Sequence, residues 1–266
     1  MDTTPSVGQT RVVNGIDMYC EVRGQGEPLL FLSGFTGIGA DWDYVFKDPV
    51  PGFQLILPDA RGHGRSTNPP GVFTFRQSAL DVFALLDQFG IHRFKAVGLS
   101  AGAKTLLHMA TGQPDRLEAM VLVSASPYFP EQARVIMRQM IVDSHTEEEW
   151  ALMRRRHLHG DDQIRTLWHQ ACGFADSYDD MNFTPPYLST ITASTLIVQG
   201  DRDPLYPASM ALEMYAAIPR SYLWIVPNGG HGPIFGDASE RFVETVLSFL
   251  RGEWEHKSPP AARERS

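Results

Sequence analysis

The sequence predicts an α/β fold in which a mostly parallel, largely eight-stranded sheet is flanked by helices and carries a helical cap insertion. Short apolar runs that can be buried on both faces of a sheet recur along the chain, and segments with apolar residues at helical spacing separate most of them. Residues 127–189 keep the helical spacing but contain no candidate strand. Repeated strand, helix, strand order is typical of a parallel sheet wrapped by helices.

The composition is that of a globular protein. The 266 residues are 43% hydrophobic and 20% charged, enough to bury a core as one α/β domain with an insertion. The formal net charge is −8 and there is no basic run, which argues against a nucleic-acid partner. Residues 1–8 lack the basic and apolar features of a targeting peptide, and no segment reaches the roughly 20 apolar residues that span a bilayer. We expect a soluble protein without a membrane partner.

The cysteine content indicates the compartment. Cys20 and Cys172 are the two cysteines of the chain, and they lie far apart without a Cys-x-x-Cys spacing. This pattern favours neither a disulfide framework nor a zinc site. We expect two free, buried thiols in a reducing compartment, and therefore a cytoplasmic protein.

The predicted strands begin with a hairpin. Residues 10–13 and 17–22 are β-type runs on either side of Asn14-Gly15, a dipeptide that favours a two-residue turn. The later strands are predicted at residues 29–32, 54–57, 96–99, 120–123, 195–198 and 222–226. Helices are predicted at residues 75–89 and 101–110, each ending close to a glycine.

The order of these elements predicts the domain organisation. Residues 1–126 and 190–252 form the sheet-containing core, and residues 127–189 form the helical cap. Residues 253–266 are poor in apolar side chains and are expected to be a flexible tail.

A serine lies where a strand meets a helix. Ser100 is the centre of Gly98-Leu99-Ser100-Ala101-Gly102, a G-x-S-x-G motif that follows one predicted strand and opens the next helix. Such a reversal forces the serine into a strained backbone conformation, and the flanking glycines allow neighbouring segments to approach closely. The alternative is a buried serine at a glycine-rich strand end, without chemistry.

With this motif, residues 10–250 resemble an α/β-hydrolase of the esterase and lactonase type. The resemblance implies that Ser100 is a nucleophile, which needs a histidine base held by a carboxylate. Residues 198–204 resemble the acid loop of the family, with Asp203 as the acid and Asp201 as the fallback; an ordinary Asx turn is the other interpretation. His231 follows the last strand in a glycine-rich loop and completes the order Ser, Asp, His.

Two backbone N–H groups are expected to form an oxyanion hole. One belongs to Ala101, and the other comes from the loop after residues 29–32. By resemblance the second donor is Phe35, although Ser33-Gly34 stands where the family usually has His-Gly. In the loop at residues 59–66 we expect Asp59 and Arg61 to make local hydrogen bonds with a scaffold role.

The resemblance implies hydrolysis of a carboxylic ester or lactone of a small, largely apolar substrate, without a metal or organic cofactor. Some relatives have an aspartate at the position of Ser100 and form a covalent ester on it during halide displacement or epoxide opening. The serine here argues against those two reactions. Receptors that keep the triad, and lyases or oxidative enzymes that need no cofactor, are the alternative functions within the fold. Turnover distinguishes them, because a receptor hydrolyses its ligand about once or very slowly.

Candidate substrate-binding residues are aromatic. Tyr128, Phe129 and Trp168 lie in or beside the cap and are predicted to line an apolar pocket, with packing inside the cap as the alternative role. The run Arg154-Arg155-Arg156 spreads around a helix and therefore indicates a solvated face rather than an anion site.

Overall fold

The computed structural model describes residues 7–47 and 50–254. The expectation of no targeting peptide concerns residues that lie mostly outside these ranges. The expectation of a flexible tail at residues 253–266 falls outside them from residue 255 onward.

One sheet organises the described residues and confirms the predicted fold class. Its strands are β1 (Val7–Val13), β2 (Ile16–Gly24), β3 (Glu27–Leu32), β4 (Phe53–Pro58), β5 (Phe94–Leu99), β6 (Leu117–Val123), β7 (Ser194–Gly200) and β8 (Ser221–Val226). These eight strands lie in the order β1-β2-β4-β3-β5-β6-β7-β8. The pairs β1–β2 and β2–β4 are antiparallel, and every other neighbouring pair is parallel.

Eight α-helices accompany the sheet in the described ranges. They are α1 (Phe75–Gln88), α2 (Ala101–Gly112), α3 (Glu131–Met137), α4 (Glu147–Arg156), α5 (Asp161–Gly173), α6 (Pro185–Leu188), α7 (Ala208–Ala217) and α8 (Ser239–Leu250). The Thr74 hydroxyl caps α1 by accepting a hydrogen bond from the Gln77 backbone, as N-cap residues do.

The antiparallel entry forms at the predicted turn. Asn14 and Gly15 both have positive φ angles, 44° and 78°, which is the conformation of the two-residue turn whose twist matches a hairpin. The turn sets the register in which Val13 pairs with Ile16. The Asn14 side chain also donates a hydrogen bond to Asp81 of α1 and so joins the hairpin to the helical layer.

The central strands are buried on both faces, as their apolar sequences predict. Side chains of β6 alternate between two core clusters, with Met120 and Leu122 in one and Val121 and Val123 in the other. This is the two-residue period of a strand. Helices α1, α2 and α7 contribute to the first cluster and α8 contributes to the second, so helices cover both faces of the sheet.

The stretch predicted as a cap is helical. Residues 127–189, all of which are described, contain α3 to α6 and one isolated bridge between Tyr128 and Asn182. Trp150, Met153 and Ile164 form a small core between α4 and α5. The Asp180 carboxylate accepts hydrogen bonds from the backbone N–H groups of Phe75 and Arg76, and thereby ties this stretch to the start of α1. The boundaries of the cap stay a prediction.

The expected solvated arginine face is present at the end of α4. Arg154 and Arg155 are exposed, and Arg154 pairs with Asp161 at 2.7 Å. Arg156 is half-buried and pairs with Asp41 in the loop after β3 at 3.0 Å. Two of the three arginines therefore face solvent, and the third helps to attach the cap to the core.

Two expectations were wrong in detail. Cys172 is only half-buried, because it lies near the end of α5 rather than in the core, while Cys20 is buried as expected. The predicted tail begins too early at residue 253, because Trp254 packs its ring against Tyr222 and Phe249 with centroid distances of 5.1 and 5.4 Å. One aromatic side chain is enough to hold this residue on α8 and β8.

In the described part of the chain, every helix is too short or too polar to cross a membrane.

We predict that Gly102→Ala destabilises the protein whereas Gly112→Ala in the same helix does not. A Cβ at Gly102 would lie 2.1 Å from the Leu32 carbonyl oxygen, so α2 would have to move away from β3. Such overpacking costs about 1–3 kcal/mol. Gly112 is exposed with open space around it, and an alanine there adds up to about 1 kcal/mol of stability. Urea unfolding of both variants measures the difference, and equal free energies of unfolding would contradict this account of the packing.

Candidate active site

Three polar side chains from separate loops meet at the carboxyl edge of the sheet. Ser100 follows β5, Asp203 follows β7 and His231 follows β8. In open α/β sheets ligands bind outside the carboxyl ends of the strands. The parallel order β5-β6-β7-β8 therefore brings these residues to one edge, although they are far apart in the sequence.

Ser100 sits in the strained turn that its motif predicts. Its backbone has φ 50° and ψ −105°, an unfavourable conformation for a residue with a side chain. The Ser100 N–H donates to the Val123 carbonyl at 2.8 Å, and its carbonyl accepts from the Lys104 N–H at 3.0 Å. These bonds to β6 and α2 hold the turn. Gly98 is required here as well, since a Cβ would lie 2.7 Å from the backbone of α2.

A continuous chain of hydrogen bonds joins the three side chains. His231 Nε2 lies 2.9 Å from Ser100 Oγ, and His231 Nδ1 lies 2.8 Å from Asp203 Oδ2. A carboxylate can only accept, so Nδ1 carries the proton and donates to Asp203, which leaves Nε2 to accept from the serine hydroxyl. The structure thus brings all three predicted residues together in the geometry of a nucleophile, a base and an orienting acid.

The Asp203 carboxylate is held by several donors. Oδ1 accepts from the backbone N–H groups of Leu205 and Tyr206, at 2.8 and 3.1 Å, and Oδ2 accepts from Gln199 Nε2 at 2.9 Å in addition to His231. Burial raises the pKa of Asp203, but the hydrogen bonds, of which that from His231 is the largest, outweigh it and the pKa falls below its usual value. The carboxylate is therefore ionised.

The fallback acid, Asp201, lies elsewhere. Its side chain is 35% exposed and lies 4.0 Å from the Arg202 guanidinium. The backbone around it joins the acid loop to the base loop, because the N–H groups of Asp201 and Arg202 donate to the carbonyls of Val226 and Gly229. Asp203, and not Asp201, is within hydrogen-bond distance of His231.

The loop predicted to form the oxyanion hole lies against the nucleophile. A Cβ built on Gly34 would be 3.8 Å from Ser100 Cβ, and both Gly34 and Phe35 face the same cavity as Ser100. The turn is closed by a hydrogen bond from the Gly37 N–H to the Gly34 carbonyl at 3.0 Å, with Thr36 at a positive φ of 64°. Ala101 is the first residue of α2, where a backbone N–H has no acceptor within the helix.

Support for this loop comes from the cap. His157, at the end of α4, accepts a hydrogen bond from the Gly64 N–H at Nδ1, 3.0 Å away, so its Nε2 carries the proton and donates to the Thr36 carbonyl at 3.1 Å. Burial lowers the pKa of His157 to about 4, which keeps the ring neutral. Ser33 contributes as well, because its hydroxyl donates to the Ile38 carbonyl at 2.7 Å.

The loop at residues 59–66 has the expected scaffold contacts. Asp59 is buried and accepts from the backbone N–H groups of Gly39 and Arg65, both at 2.9 Å. Arg61 forms a buried ion pair with Asp81 of α1 at 2.7 Å. His63 is also buried, and desolvation lowers its pKa to about 3. Its ring packs against Phe35 at a centroid distance of 4.8 Å and so reaches the oxyanion loop.

A cavity of about 290 Å³ opens over Ser100 and His231. Phe129 and Trp168 line it, as predicted. Tyr128 does not, because its side chain is 38% exposed and its hydroxyl binds Glu213 of α7 at 3.2 Å; its predicted place in the pocket wall is wrong. Apart from Ser100, Lys104, Tyr206 and His231, the wall is apolar or formed by Gly and Thr residues; its largest side chains are those of Phe35, Phe75, Leu99, Phe129, Met137, Met140, Trp168, Phe174, Leu205 and Phe235.

Sequence reasoning missed three residues of the site. Lys104 lines the cavity, Gln199 holds Asp203, and His157 holds the oxyanion loop. The first two carried a signal, since each is a polar residue inside an otherwise apolar run. His157 carried none, because its partners lie 93 and 121 residues away along the chain.

The described residues contain no group of three or more His, Cys, Asp or Glu side chains with the arrangement of a metal site.

Comparison with known families agrees with the fold. The family described as alpha/beta hydrolase fold matches residues 27–151, and the family described as TAP-like protein matches residues 168–257. Similar solved structures share the fold over nearly the whole chain. The chain belongs to the α/β-hydrolase fold superfamily.

Individual relatives are hydrolases. A putative carbamate hydrolase of Caulobacter is 27% identical over 92% of this chain and 99% of its own length. A serine hydrolase of Mus musculus is 28% identical over 88% of this chain and 84% of its own. Among solved structures, a meta-cleavage product hydrolase of Pseudomonas fluorescens has a TM-score of 0.76 at 19% identity and covers 93% of this chain and 98% of that chain. The curated relatives support a hydrolase activity for this chain.

We predict that the protein loses stability as the pH falls from about 7.5 to about 5, in part through His63 and His157. Their pKa values in the folded state, about 3 and about 4, lie below the usual 6.5. In this pH range the two histidines therefore bind protons in the unfolded chain but stay neutral in the folded chain, which favours unfolding. Each histidine then costs about 2 kcal/mol at about pH 5. Denaturant unfolding at both pH values measures the loss.

The histidine variants separate this effect from the other titrating groups. His157→Gln removes one of the two groups, and we expect the pH-dependent loss to shrink by about 2 kcal/mol. His92→Gln replaces an exposed histidine and serves as the control, with the loss expected to equal that of the wild type. A loss in His157→Gln as large as in the wild type would show that His157 is not buried in its neutral form.

Proposed function

We propose that the protein is a serine hydrolase that cleaves a carboxylic ester or lactone of a small, largely apolar substrate through an acyl-enzyme on Ser100. The observation that carries this proposal is the unbroken hydrogen-bond chain from Asp203 through His231 to Ser100 at the wall of an apolar cavity. A serine hydroxyl is a weak nucleophile at neutral pH, and this arrangement supplies the base that activates it.

Acylation begins when Ser100 Oγ attacks the substrate carbonyl and passes its proton to His231 Nε2, 2.9 Å away. The imidazolium that forms is stabilised by the ionised Asp203, whose own pKa lies below its usual value. The carbonyl oxygen becomes an oxyanion, and in this proposal it is bound by the backbone N–H groups of Phe35 and Ala101, two residues of the cavity wall. When the tetrahedral intermediate collapses, the bond from carbon to the leaving oxygen breaks and His231 protonates that oxygen.

Deacylation repeats these steps with water as the nucleophile. His231 takes a proton from water, the resulting hydroxide attacks the acyl-enzyme, and the proton returns to Ser100 Oγ as the acid product leaves. The cavity admits small substrates, because its volume of about 290 Å³ is at the lower end of the range for ligand sites. Its aromatic and aliphatic walls favour apolar acyl or alcohol groups.

The primary test is turnover of p-nitrophenyl esters of graded acyl length, together with simple and enol lactones, by the wild type and by Ser100→Ala. We expect multiple turnovers by the wild type and a loss of about a thousandfold or more in kcat in the variant, because the nucleophile is gone. A fluorophosphonate probe is expected to label Ser100, as read by peptide mass spectrometry. Ser189→Ala, at an exposed serine, is the matched control and should retain full activity.

Two outcomes would overturn the proposal. Ester turnover that is unchanged in Ser100→Ala would place the chemistry elsewhere. A single slow turnover by the wild type, or none, would instead favour a receptor or a non-hydrolytic enzyme built on the same triad.

The acid is tested by a pair of neighbouring variants. Asp203→Asn removes the acceptor that fixes the His231 tautomer, so we expect kcat to fall about a thousandfold or more. Asp201→Asn changes a carboxylate outside the hydrogen-bond chain and is expected to keep kcat within about threefold of the wild type. Steady-state kinetics on one ester measures both, and a larger loss in Asp201→Asn than in Asp203→Asn would contradict the assignment.

A further inference from the structure

A lysine is buried one helical turn after the nucleophile. The Lys104 N–H donates to the Ser100 carbonyl in the first turn of α2, and the two residues line the same cavity. Lys104 is only 1% exposed, yet it lines the cavity that contains Ser100 and His231. Lysine is rarely buried to this extent without a partner.

Among the described residues, neither a hydrogen bond nor an ion pair joins Lys104 Nζ to another group. Three aromatic rings surround it, with Nζ lying 4.3 Å from the ring centroid of Tyr206, 5.7 Å from that of Phe129 and 5.9 Å from that of Phe75. Ring faces attract a cation but supply no counter-charge.

The other two cations buried in the described part of the chain are satisfied by the protein itself. Arg61 forms a bidentate ion pair with Asp81. Arg134 donates to the carbonyl oxygens of Phe129 and Ala175. Lys104 therefore differs from them not in burial but in having an ammonium group that faces the cavity rather than a protein acceptor.

An unpaired ammonium group is unfavourable in an apolar cavity. Desolvation lowers the pKa of Lys104 to about 7, and the charge of Asp203 opposes this shift without forming a contact with the ammonium group. An anion brought into the same cavity would offset part of the cost of burying this charge. No carboxylate side chain lines the cavity.

We propose that Lys104 binds a carboxylate carried by the substrate, so that the substrate class is an ester or lactone with one free carboxylate at the end of a short apolar chain. This inference rests on the function proposed above and names the substrate of that same site. The carboxylate forms an ion pair with Lys104 Nζ, the aromatic rings pack against the apolar chain, and the scissile carbonyl lies at Ser100 Oγ. Ser100 and Lys104 lie one helical turn apart along the chain and line the same cavity of about 290 Å³, which favours a short chain between the two groups.

The test compares two substrates whose distal carboxyl group is either ionised or methylated. Mono-p-nitrophenyl glutarate carries a free carboxylate, and its methyl ester is neutral with the same leaving group and chain. For the wild type we expect kcat/KM to be at least about tenfold higher for the anionic substrate, the size of effect that a charge-assisted hydrogen bond supplies. Lys104→Met is expected to lower this ratio at least about tenfold, and Lys104→Arg to preserve a preference for the anion.

Lys47→Met is the matched control, because it removes an exposed lysine outside the cavity and should leave the ratio unchanged. A second measurement needs no variant of Lys104: monomethyl glutarate should inhibit the wild type at a concentration at least about tenfold lower than dimethyl glutarate does. Equal kcat/KM values and equal inhibition for the charged and neutral compounds would overturn the inference, as would an unchanged ratio in Lys104→Met.

Failure of this inference is distinguishable from failure of the proposed function. Turnover that depends on Ser100 but shows no preference for the anion overturns only the carboxylate site. If no Ser100-dependent turnover is found, calorimetric binding of monomethyl glutarate to Ser100→Ala still tests the site. Binding that is lost in the Ser100→Ala, Lys104→Met double variant supports a carboxylate site, and binding that is equal in both overturns it.

Discussion

The backbone reversal between β5 and α2 is the constraint on which the rest of the site depends. It holds Ser100 at a positive φ, and it requires α2 to pass so close to β3 that the position of Gly102 has no room for a side chain. The same reversal places Ala101 at the start of α2, where backbone N–H groups have no intrahelical acceptor. Backbone strain of about 1–3 kcal/mol is tolerated here because β6 and α2 both bind the Ser100 backbone.

The sheet brings the other residues of the site to Ser100. Parallel pairing of β5 to β8 aligns their carboxyl ends, and close backbone contact between Gly200 and Gly229 brings the acid and base loops together. The relay then depends on directional bonds, since four donors fix Asp203 and the carboxylate in turn fixes the tautomer of His231. His231 is therefore positioned by Asp203, and Asp203 is positioned in part by the backbone N–H groups of Leu205 and Tyr206.

The cap supports the loop after β3 through hydrogen bonds as well as covering the cavity. His157 is a neutral imidazole that joins the end of α4 to the turn at Thr36 and to Gly64, so the shape of the oxyanion loop depends on the attachment of the cap. The buried guanidinium groups of Arg61 and Arg134 have protein acceptors. The ammonium group of Lys104 differs, because it lies over the ring of Tyr206 at the wall of the cavity and has no protein acceptor among the described residues.

The sequence by itself determined the strands, two of the helices beside them, the helical character of residues 127–189 and the positions of Ser100 and His231. These features depend on local hydrophobic periodicity, on turn chemistry and on the G-x-S-x-G motif. The spacing of that motif is set by the single backbone reversal from β5 into α2. Three decisions belonged to the tertiary structure alone: that Asp203 rather than Asp201 reaches His231, that Tyr128 faces solvent while Phe129 faces the cavity, and that Trp254 docks on the core. Each is a choice between neighbouring or similar side chains, and it depends on which atoms residues far along the chain bring within a few ångströms.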